Sequence, residues 1–159
     1  MKKNPLLLAA FLVVISITLA QAEIKDSVDS FNNRRNISSV NSISCGESIC
    51  FLMFGSTMKA GETPTIWFLT VGTPTSKMQI PERLDLKVEL TPQGVRMVEG
   101  LKPVDKKVGA GHFNITENTP LLKQATKITF RVYFWKGGTI TREIPDYVLE
   151  EWKKVLEIK

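Results

Sequence analysis

The clearest regularity in the chain is a strict alternation of apolar and charged residues over positions 83–90. A two-residue period predicts a β-strand with one dry and one wet face, because successive side chains of a strand point to opposite sides. The dry face comprises Leu84, Leu86, Val88 and Leu90, and the wet face Arg83, Asp85, Lys87 and Glu89. Residues 127–135 alternate in the same way, and Gly137-Gly138 predicts the turn into a partner strand at 139–144.

Shorter patterns predict the remaining strands and loops. Residues 50–54 form an apolar strand that we expect the following glycine to end, and 65–71 form another, rich in β-branched and aromatic residues. Loops are expected at 56–63 and at 100–111, the latter being the longest. The polar stretch 23–36 is expected to be either a frayed start or a first edge strand.

Helical patterns occur in two places. Asn118 or Thr119 can cap a short helix that has Pro120 in its first turn. After Pro145, apolar residues recur every three or four positions and form one stripe, made of Val148, Leu149, Trp152, Val155 and Leu156. Together these elements predict a mainly β (α+β) fold: an antiparallel β-sandwich or barrel-like domain with a short helix before the last hairpin and an amphipathic C-terminal helix.

The first 22 residues have the three-part layout of a secretory signal peptide. Two lysines precede an uncharged run at residues 5–20, and Ala20 and Ala22 occupy the positions that a signal peptidase reads. The alternative is an uncleaved membrane anchor, but a run of 16 residues is shorter than the roughly 20 that span a bilayer. We therefore predict a cleavable signal peptide at 1–22 and a single globular β-rich domain at 23–159, periplasmic or secreted, with no membrane span after cleavage.

The charge balance argues against nucleic acid as a partner. The chain has 21 Lys and Arg against 16 Asp and Glu, and two of the lysines belong to the signal peptide. The mature chain therefore carries 19 basic against 16 acidic residues, a net charge of +3. Basic residues stand at most in pairs, such as Arg34-Arg35, whereas a nucleic-acid-binding face needs a concentrated basic patch.

The two cysteines, Cys45 and Cys50, are close enough in sequence to bond in an oxidising compartment. If Glu47 and Ser48 form the corner of a two-residue hairpin, Cys45 faces Cys50 with Cα atoms about 4.5 Å apart, which a disulfide tolerates. Redox motifs normally have two residues between their cysteines, and here four intervene. We therefore predict a structural disulfide.

Motifs for catalysis or metal binding are missing from the sequence. The one histidine, His112, stands between Gly111 and Phe113, where a surface or strand-end role is expected. No nucleophile elbow, phosphate-binding loop or calcium loop occurs, and two cysteines with one histidine are too few for a structural zinc site. We predict no catalytic residues, no cofactor and no metal.

One group of residues on the last hairpin is a candidate interaction patch: Arg131, Tyr133, Trp135 and Arg142. Aromatic and arginine side chains together can stack on sugars, bases or the side chains of a partner. The expectation we favour for this surface is that the C-terminal helix docks on Tyr133 and Trp135, because its apolar stripe needs a surface to cover.

These observations predict an exported, non-enzymatic binding or interaction module of the bacterial envelope or extracellular space. The expected partner is another envelope or surface protein, or a glycan. The alternative function is a small secreted hydrolase or an inhibitor of one.

Export predicts a mature N-terminus at Glu23, because the small residues before it fit the peptidase. Intact-mass measurement of protein from the producing cell checks this. Retention of residues 1–22 in a membrane fraction would instead identify the apolar run as an anchor.

Overall fold

The computed structural model describes residues 23–73, 79–92 and 94–159. The predicted signal peptide at 1–22 lies outside the described residues. Within these described residues, ten strands and two α-helices follow one another: β1 (Glu23–Asp29), β2 (Arg34–Ser44), β3 (Ile49–Lys59), β4 (Phe68–Gly72), β5 (Pro81–Leu90), β6 (Gly94–Leu101), β7 (Pro103–Lys107), β8 (Ala110–Asn114), α1 (Thr119–Gln124), β9 (Lys127–Phe134), β10 (Thr139–Glu143) and α2 (Asp146–Glu157).

The strands form two antiparallel sheets. The six-stranded sheet has the order β1-β2-β3-β4-β8-β7, and the four-stranded sheet has the order β10-β9-β5-β6. The predicted mainly β class with two helices is confirmed, and both sheets are open rather than closed into a barrel. Among the described residues, no helix is long and apolar enough to cross a membrane.

The two sheets share one hydrophobic core, built from the alternating residues that the sequence indicates. The four apolar residues of the 83–90 alternation are buried, three of them completely. On β9, Ile128, Phe130 and Val132 are also fully buried. Each side chain of this size stabilises the fold by roughly 1.5–3 kcal/mol relative to exposure. The period of two thus places the core correctly in the four-stranded sheet.

The strand β3 does not end at Gly55, as the sequence predicted, but continues to Lys59. The predicted loop at 56–63 is therefore wrong in its first half. A side chain at position 55 would clash with the carbonyl oxygen of Ile37, and its Cβ would lie 2.8 Å from the Cβ of Ser38. Glycine here serves the close approach of two neighbouring strands rather than a chain reversal.

The predicted loop at 100–111 is also wrong, because β7 and β8 pair in this stretch. Gly109 lies in their turn with a φ of +77°. The exposed Lys106 and Lys107 lie on β7, an edge strand, where charge discourages pairing with further chains. Of the two predictions for the polar start of the domain, the edge strand is confirmed, since β1 pairs with β2 along its length.

Cys45 and Cys50 form the predicted disulfide, with a Cα–Cα distance of 5.7 Å. The predicted register of their hairpin is wrong. Cys50 pairs with Ile43, and residues 45–48 form a four-residue loop in which the N–H of Cys45 donates to the carbonyl of Ser48 at 2.7 Å. Gly46 adopts a φ of +84° in this loop. The disulfide therefore closes the loop diagonally rather than joining two facing strand residues.

Both predicted helices are present. Asn118 occupies the N-cap of α1 without a side-chain capping bond, and Pro120 lies in the first turn. The helix α2 begins directly after Pro145 and buries the whole predicted stripe of five apolar residues. The stripe therefore belongs to the core.

The expected docking of α2 on the face of Tyr133 and Trp135 is wrong. Trp152 stacks instead on Phe54 of β3, with ring centroids 5.1 Å apart. Tyr133 points to the opposite side of β9 from the buried Val132, and Trp135 remains 53% exposed beyond the strand end. In this position the helix removes its own apolar stripe and the core side of β3 from water.

Trp152 makes a sharp test of this packing. We expect Trp152→Ala to lower the free energy of unfolding by about 3–5 kcal/mol, because it removes a fully buried aromatic ring. Tyr147→Ala, on the exposed side of the same helix, serves as the matched control and should change stability by less than about 0.5 kcal/mol. Urea melts measure both, and equal effects would contradict the assignment of α2 to the core.

Candidate functional site

The predicted patch of Arg131, Tyr133, Trp135 and Arg142 is not one surface. Arg131 and Tyr133 do share the outer face of the four-stranded sheet, pointing away from the core. Arg142 pairs with the buried Phe130 and therefore belongs to the other face of the sheet. The guanidinium of Arg142 reaches the disulfide loop, where a Cβ on Gly46 would lie 3.1 Å from its Nη2.

The two aromatic residues of the patch are also separated from each other. The guanidinium carbon of Arg83 lies 3.6 Å from the centroid of the Tyr133 ring and covers it. Trp135 lies in the β9–β10 turn, where Lys136 Nζ stands 4.5 Å from its ring centroid. The structure therefore corrects the sequence prediction: the four residues divide among the outer face, the turn and the core-facing side of the edge strand.

The outer face of the four-stranded sheet is lined with ion pairs. Lys87 Nζ lies 2.9 Å from Glu89 Oε1 on β5, and Lys127 Nζ lies 2.8 Å from Glu143 Oε2 between β9 and β10. Arg131 Nε donates to Thr141 Oγ1 at 2.9 Å. A surface whose charges pair with one another is well solvated, and exposed pairs of this kind contribute little to stability.

Asp85 is the exception on this charged face, because its side chain is buried. Its Oδ1 accepts the N–H of Gly100 on β6 at 2.8 Å, and its Oδ2 accepts from Arg83 Nη2 at 3.0 Å. Burial by itself raises the pKa of Asp85, but the bonds from Gly100 and Tyr133, with the Arg83 charge, outweigh burial and hold this pKa below its usual value. Asp85 therefore acts as a structural link between β5 and β6.

The outer face of the six-stranded sheet is different, because its central described residues carry no formal charge. Charged residues lie at its borders, on β1, on β7 and at the far end of β2 and β3. We call the central surface the neutral face; its residues are Ser38, Val40, Ser42, Ile49, Phe51, Met53, Gly55, Phe68, Thr70 and His112. Ile49, Phe51, Met53 and Val40 on it are 58%, 55%, 40% and 37% exposed.

A hollow of about 230 Å³ lies in the neutral face at Gly55. Gly55 leaves it unfilled, Met53 and Phe68 line it with apolar surface, and Asn36 and Thr57 contribute polar groups to its rim. Thr57 Oγ1 donates to Asn36 Oδ1 at 2.8 Å, which fixes that rim. Because β2 lies too close for a side chain at position 55, the packing of the sheet itself keeps the hollow open.

His112 forms part of the neutral face rather than an isolated surface position. Its ring stacks on Phe68 with centroids 4.4 Å apart, and its Nδ1 lies 2.7 Å from Thr70 Oγ1. Burial lowers the pKa of His112 below its usual value, with the Asp105 carboxylate opposing the shift. The neutral imidazole is therefore the main form at neutral pH, which keeps the centre of the face uncharged.

The sequence prediction missed the neutral face, although one signal for it exists. Residues 49–54 are apolar without interruption, so both sides of the strand are apolar. The structure buries Cys50, Leu52 and Phe54 and exposes the three residues between and before them. An apolar run within a sheet is usually assigned to burial on both faces, and only the three-dimensional arrangement shows that nothing in the described chain covers the outer side.

Comparisons with known proteins add no family to this description. No protein-family model matches the chain, and neither the curated proteins nor the solved structures include one of significant similarity. In residues 23–73, 79–92 and 94–159, no three or more His, Cys, Asp and Glu side chains are grouped so that they could hold a metal ion. The function of the candidate site must therefore be inferred from the residues of the neutral face.

The Asp85 link predicts a pH-dependent stability. We expect Asp85→Ala to cost about 1–3 kcal/mol at neutral pH, because it leaves the Gly100 N–H and Arg83 without their acceptor. Since the pKa of Asp85 is lower in the folded than in the unfolded chain, its stabilisation is present above about pH 4 and is lost as the pH falls through the folded value.

The measurement is the unfolding free energy of wild type and variant from about pH 7 to about pH 2, where the difference should shrink in acid. Glu99→Ala, an exposed carboxylate on the same face, is the control and should have little effect at either pH. A difference that stays constant with pH would show that Asp85 acts without its charge.

Proposed function

We propose that this chain is an exported, non-enzymatic binding or interaction module, and that it binds its partner through the neutral face. The observation that carries the proposal is the contrast between the two outer faces of one fold. The outer face of the four-stranded sheet presents paired charges to solvent, and its exposed Val95 and Met97 lie opposite the charged Glu89 and Lys87. The six-stranded sheet presents Ile49, Phe51 and Met53 in one uncharged row, with a hollow beside Met53. A contiguous exposed apolar patch on a soluble domain marks an interaction site.

The residue types on the neutral face fit a protein interface. Aromatic residues and methionine are enriched at interface centres, and charged residues are depleted there. Phe51 and Met53 stand in the middle, while Glu23 and Lys25 on β1 and Lys107 on β7 lie at the border. A charge-free centre surrounded by charged residues is the arrangement expected for a buried core with a solvated rim.

The dimensions of the hollow indicate what it accepts. A volume of about 230 Å³ is smaller than the roughly 300–1,000 Å³ of sites that enclose a drug-sized molecule. It suits one projecting apolar side chain of a larger partner. A protein fits better than a glycan, because the exposed surfaces of Val40, Ile49 and Met53 offer no hydrogen-bonding group to sugar hydroxyls.

Export is supported by two independent features. The first 22 residues have the signal-peptide layout, and the Cys45–Cys50 disulfide is of a kind that persists in oxidising compartments. The partner is therefore expected to be another protein of the envelope or surface.

The hydrolase alternative has one supporting contact, the 2.7 Å approach of Thr70 Oγ1 to His112 Nδ1. A hydroxyl beside an imidazole is the beginning of a nucleophile–base pair. The same contact also fixes His112 against Phe68 and so shapes the neutral face. A binding module explains both this contact and the exposed apolar surface, whereas a hydrolase explains only the contact. We therefore conclude that the chain is a binding module.

Site-specific photo-crosslinking in the producing cell tests the proposal. A photoreactive phenylalanine analogue in place of Met53 should give one saturable crosslinked product, because position 53 lies at the centre of the neutral face. The same analogue in place of Met97, which is exposed on the outer face of the four-stranded sheet, is the matched control. Mass spectrometry identifies the product, and equal labelling from both positions would overturn the proposal.

A further inference from the structure

We infer that the neutral face is occupied by a second copy of this chain, in a symmetric dimer whose two-fold axis passes over Met53. This inference rests on the proposed function, since it requires the neutral face to be the binding surface. It goes further by assigning the partner and the geometry of contact.

The strand β3 carries both halves of a self-complementary contact on one face. Phe51 projects from the neutral face, the hollow lies at Gly55, and Met53 stands midway between them. We place the two-fold axis in the plane of the interface, at right angles to β3 and directly above Met53. A half-turn about this axis puts Phe51 of each copy over the hollow of the other. In such an isologous contact, every residue pair occurs twice.

The neighbouring strand repeats this arrangement in reverse order. On β4, Gly72 is paired with Phe51, Thr70 with Met53, and Phe68 with Gly55. The same axis therefore also brings Phe68 of each copy towards Gly72 of the other. The rotation thus sets Phe51 of one copy opposite Gly55 of the other, and Phe68 opposite Gly72, on either side of the row formed by Met53 and Thr70.

Room for an incoming side chain exists at Gly55, whereas the space beside Gly72 is partly filled by Phe51 of the same chain. A Cβ at Gly55 would clash with β2, so the hollow cannot be filled from within the chain at that position. Phe68 stacks on His112 and forms one wall of the hollow rather than its lid. Phe51 lies beside Gly72: a Cβ at position 72 would be 3.3 Å from the Cβ of Phe51. The side chain of Phe51 is nevertheless 55% exposed.

The size and charge of the face suit a dimer. Six strands spaced by about 4.8 Å, with an average length near 24 Å, give the whole outer side of this sheet an area of about 600 Å², with the neutral face at its centre and β1 and β7 at its borders. Two such sheets approach the roughly 1,200 Å² at which specific interfaces begin if the border strands join the contact. With His112 neutral, the central rows bring no like charges together. At the two ends of the axis, Glu23 on β1 and Asp105 on β7 lie opposite their own copies, and Lys25 and Lys107 lie two positions away on the same strands.

Charge substitutions at the axis provide the test, measured by sedimentation of the exported protein at several concentrations. The wild type should dimerise reversibly. Met53→Lys and Met53→Glu should each raise the dimer dissociation constant by about tenfold or more, because the axis places like charges face to face. An equimolar mixture of the two variants should dimerise again, because opposite charges then meet. Met97→Lys, the same substitution on the outer face of the four-stranded sheet, should leave dimerisation unchanged.

Folding is checked for each variant by circular dichroism and melting temperature, and Phe51→Ser provides a second, uncharged disruption of the contact. A wild type that stays monomeric at its highest soluble concentration overturns the inference. So does a dimer that Met97→Lys dissociates, or a mixture of the two Met53 variants that remains monomeric.

The crosslink at position 53 separates failure of this inference from failure of the proposed function. A product between two copies of this chain supports both. A product with a different protein supports the binding module and overturns the dimer. Absence of any product specific to position 53 overturns both.

Discussion

The stacking of Phe54 with two tryptophans connects distant parts of this fold. The ring centroid of Trp67, just before β4, lies 5.4 Å from that of Phe54, and the ring centroid of Trp152 of α2 lies 5.1 Å from it. Aromatic pairs of this kind add about 0.5–1.5 kcal/mol each beyond their buried area. Because the three rings come from a strand, a connection and the C-terminal helix, their contact ties distant segments of the chain to one position in the six-stranded sheet.

Fixing Phe54 also fixes the opposite side of β3. In a strand, the orientation of one residue determines that of its neighbours, so burial of Leu52 and Phe54 forces Phe51 and Met53 outwards. The outward side chains therefore stand on a packed base, which would limit the entropy lost in the proposed binding. Around the same core, Ser39 Oγ donates to Glu151 Oε2 at 2.7 Å and fixes the helix over β2. Core and neutral face are consequently two sides of one packing arrangement.

The sequence predicts what depends on periodicity and misses what depends on distance between strands. The stripe of α2 and the inner residues of β5 and β9 follow directly from spacing. The register of the β2–β3 hairpin does not, because sliding the partner by two residues keeps every side chain on the same face. Pairing Cys50 with Ile43 instead of Cys45 leaves the apolar pattern unchanged, so turn geometry alone decides between them.

The same limitation explains the errors concerning the site. Gly55 resembles a strand end in sequence, but it pairs with Ser38 within a strand that continues to Lys59. The close approach of Ile37 explains why glycine is needed there. The hairpin residues Arg131 and Arg142 appear close in sequence, but one faces solvent beside Thr141 and the other pairs with the buried Phe130. A pattern along one strand gives the face of each residue; it does not show what the facing strand or helix covers.

The edges of the six-stranded sheet make its face the better surface for association. An open sheet can recruit partners along its edge strands or across its face. Here β1 carries Lys25 and Asp26, and β7 carries Lys106 and Lys107, so each edge would bring charged groups into a new strand pair. Between these edges, β3 offers apolar side chains with no charge to desolvate. Because burying unpaired charge costs free energy and burying apolar surface releases it, the proposed contact across the face would cost less than growth along the edge.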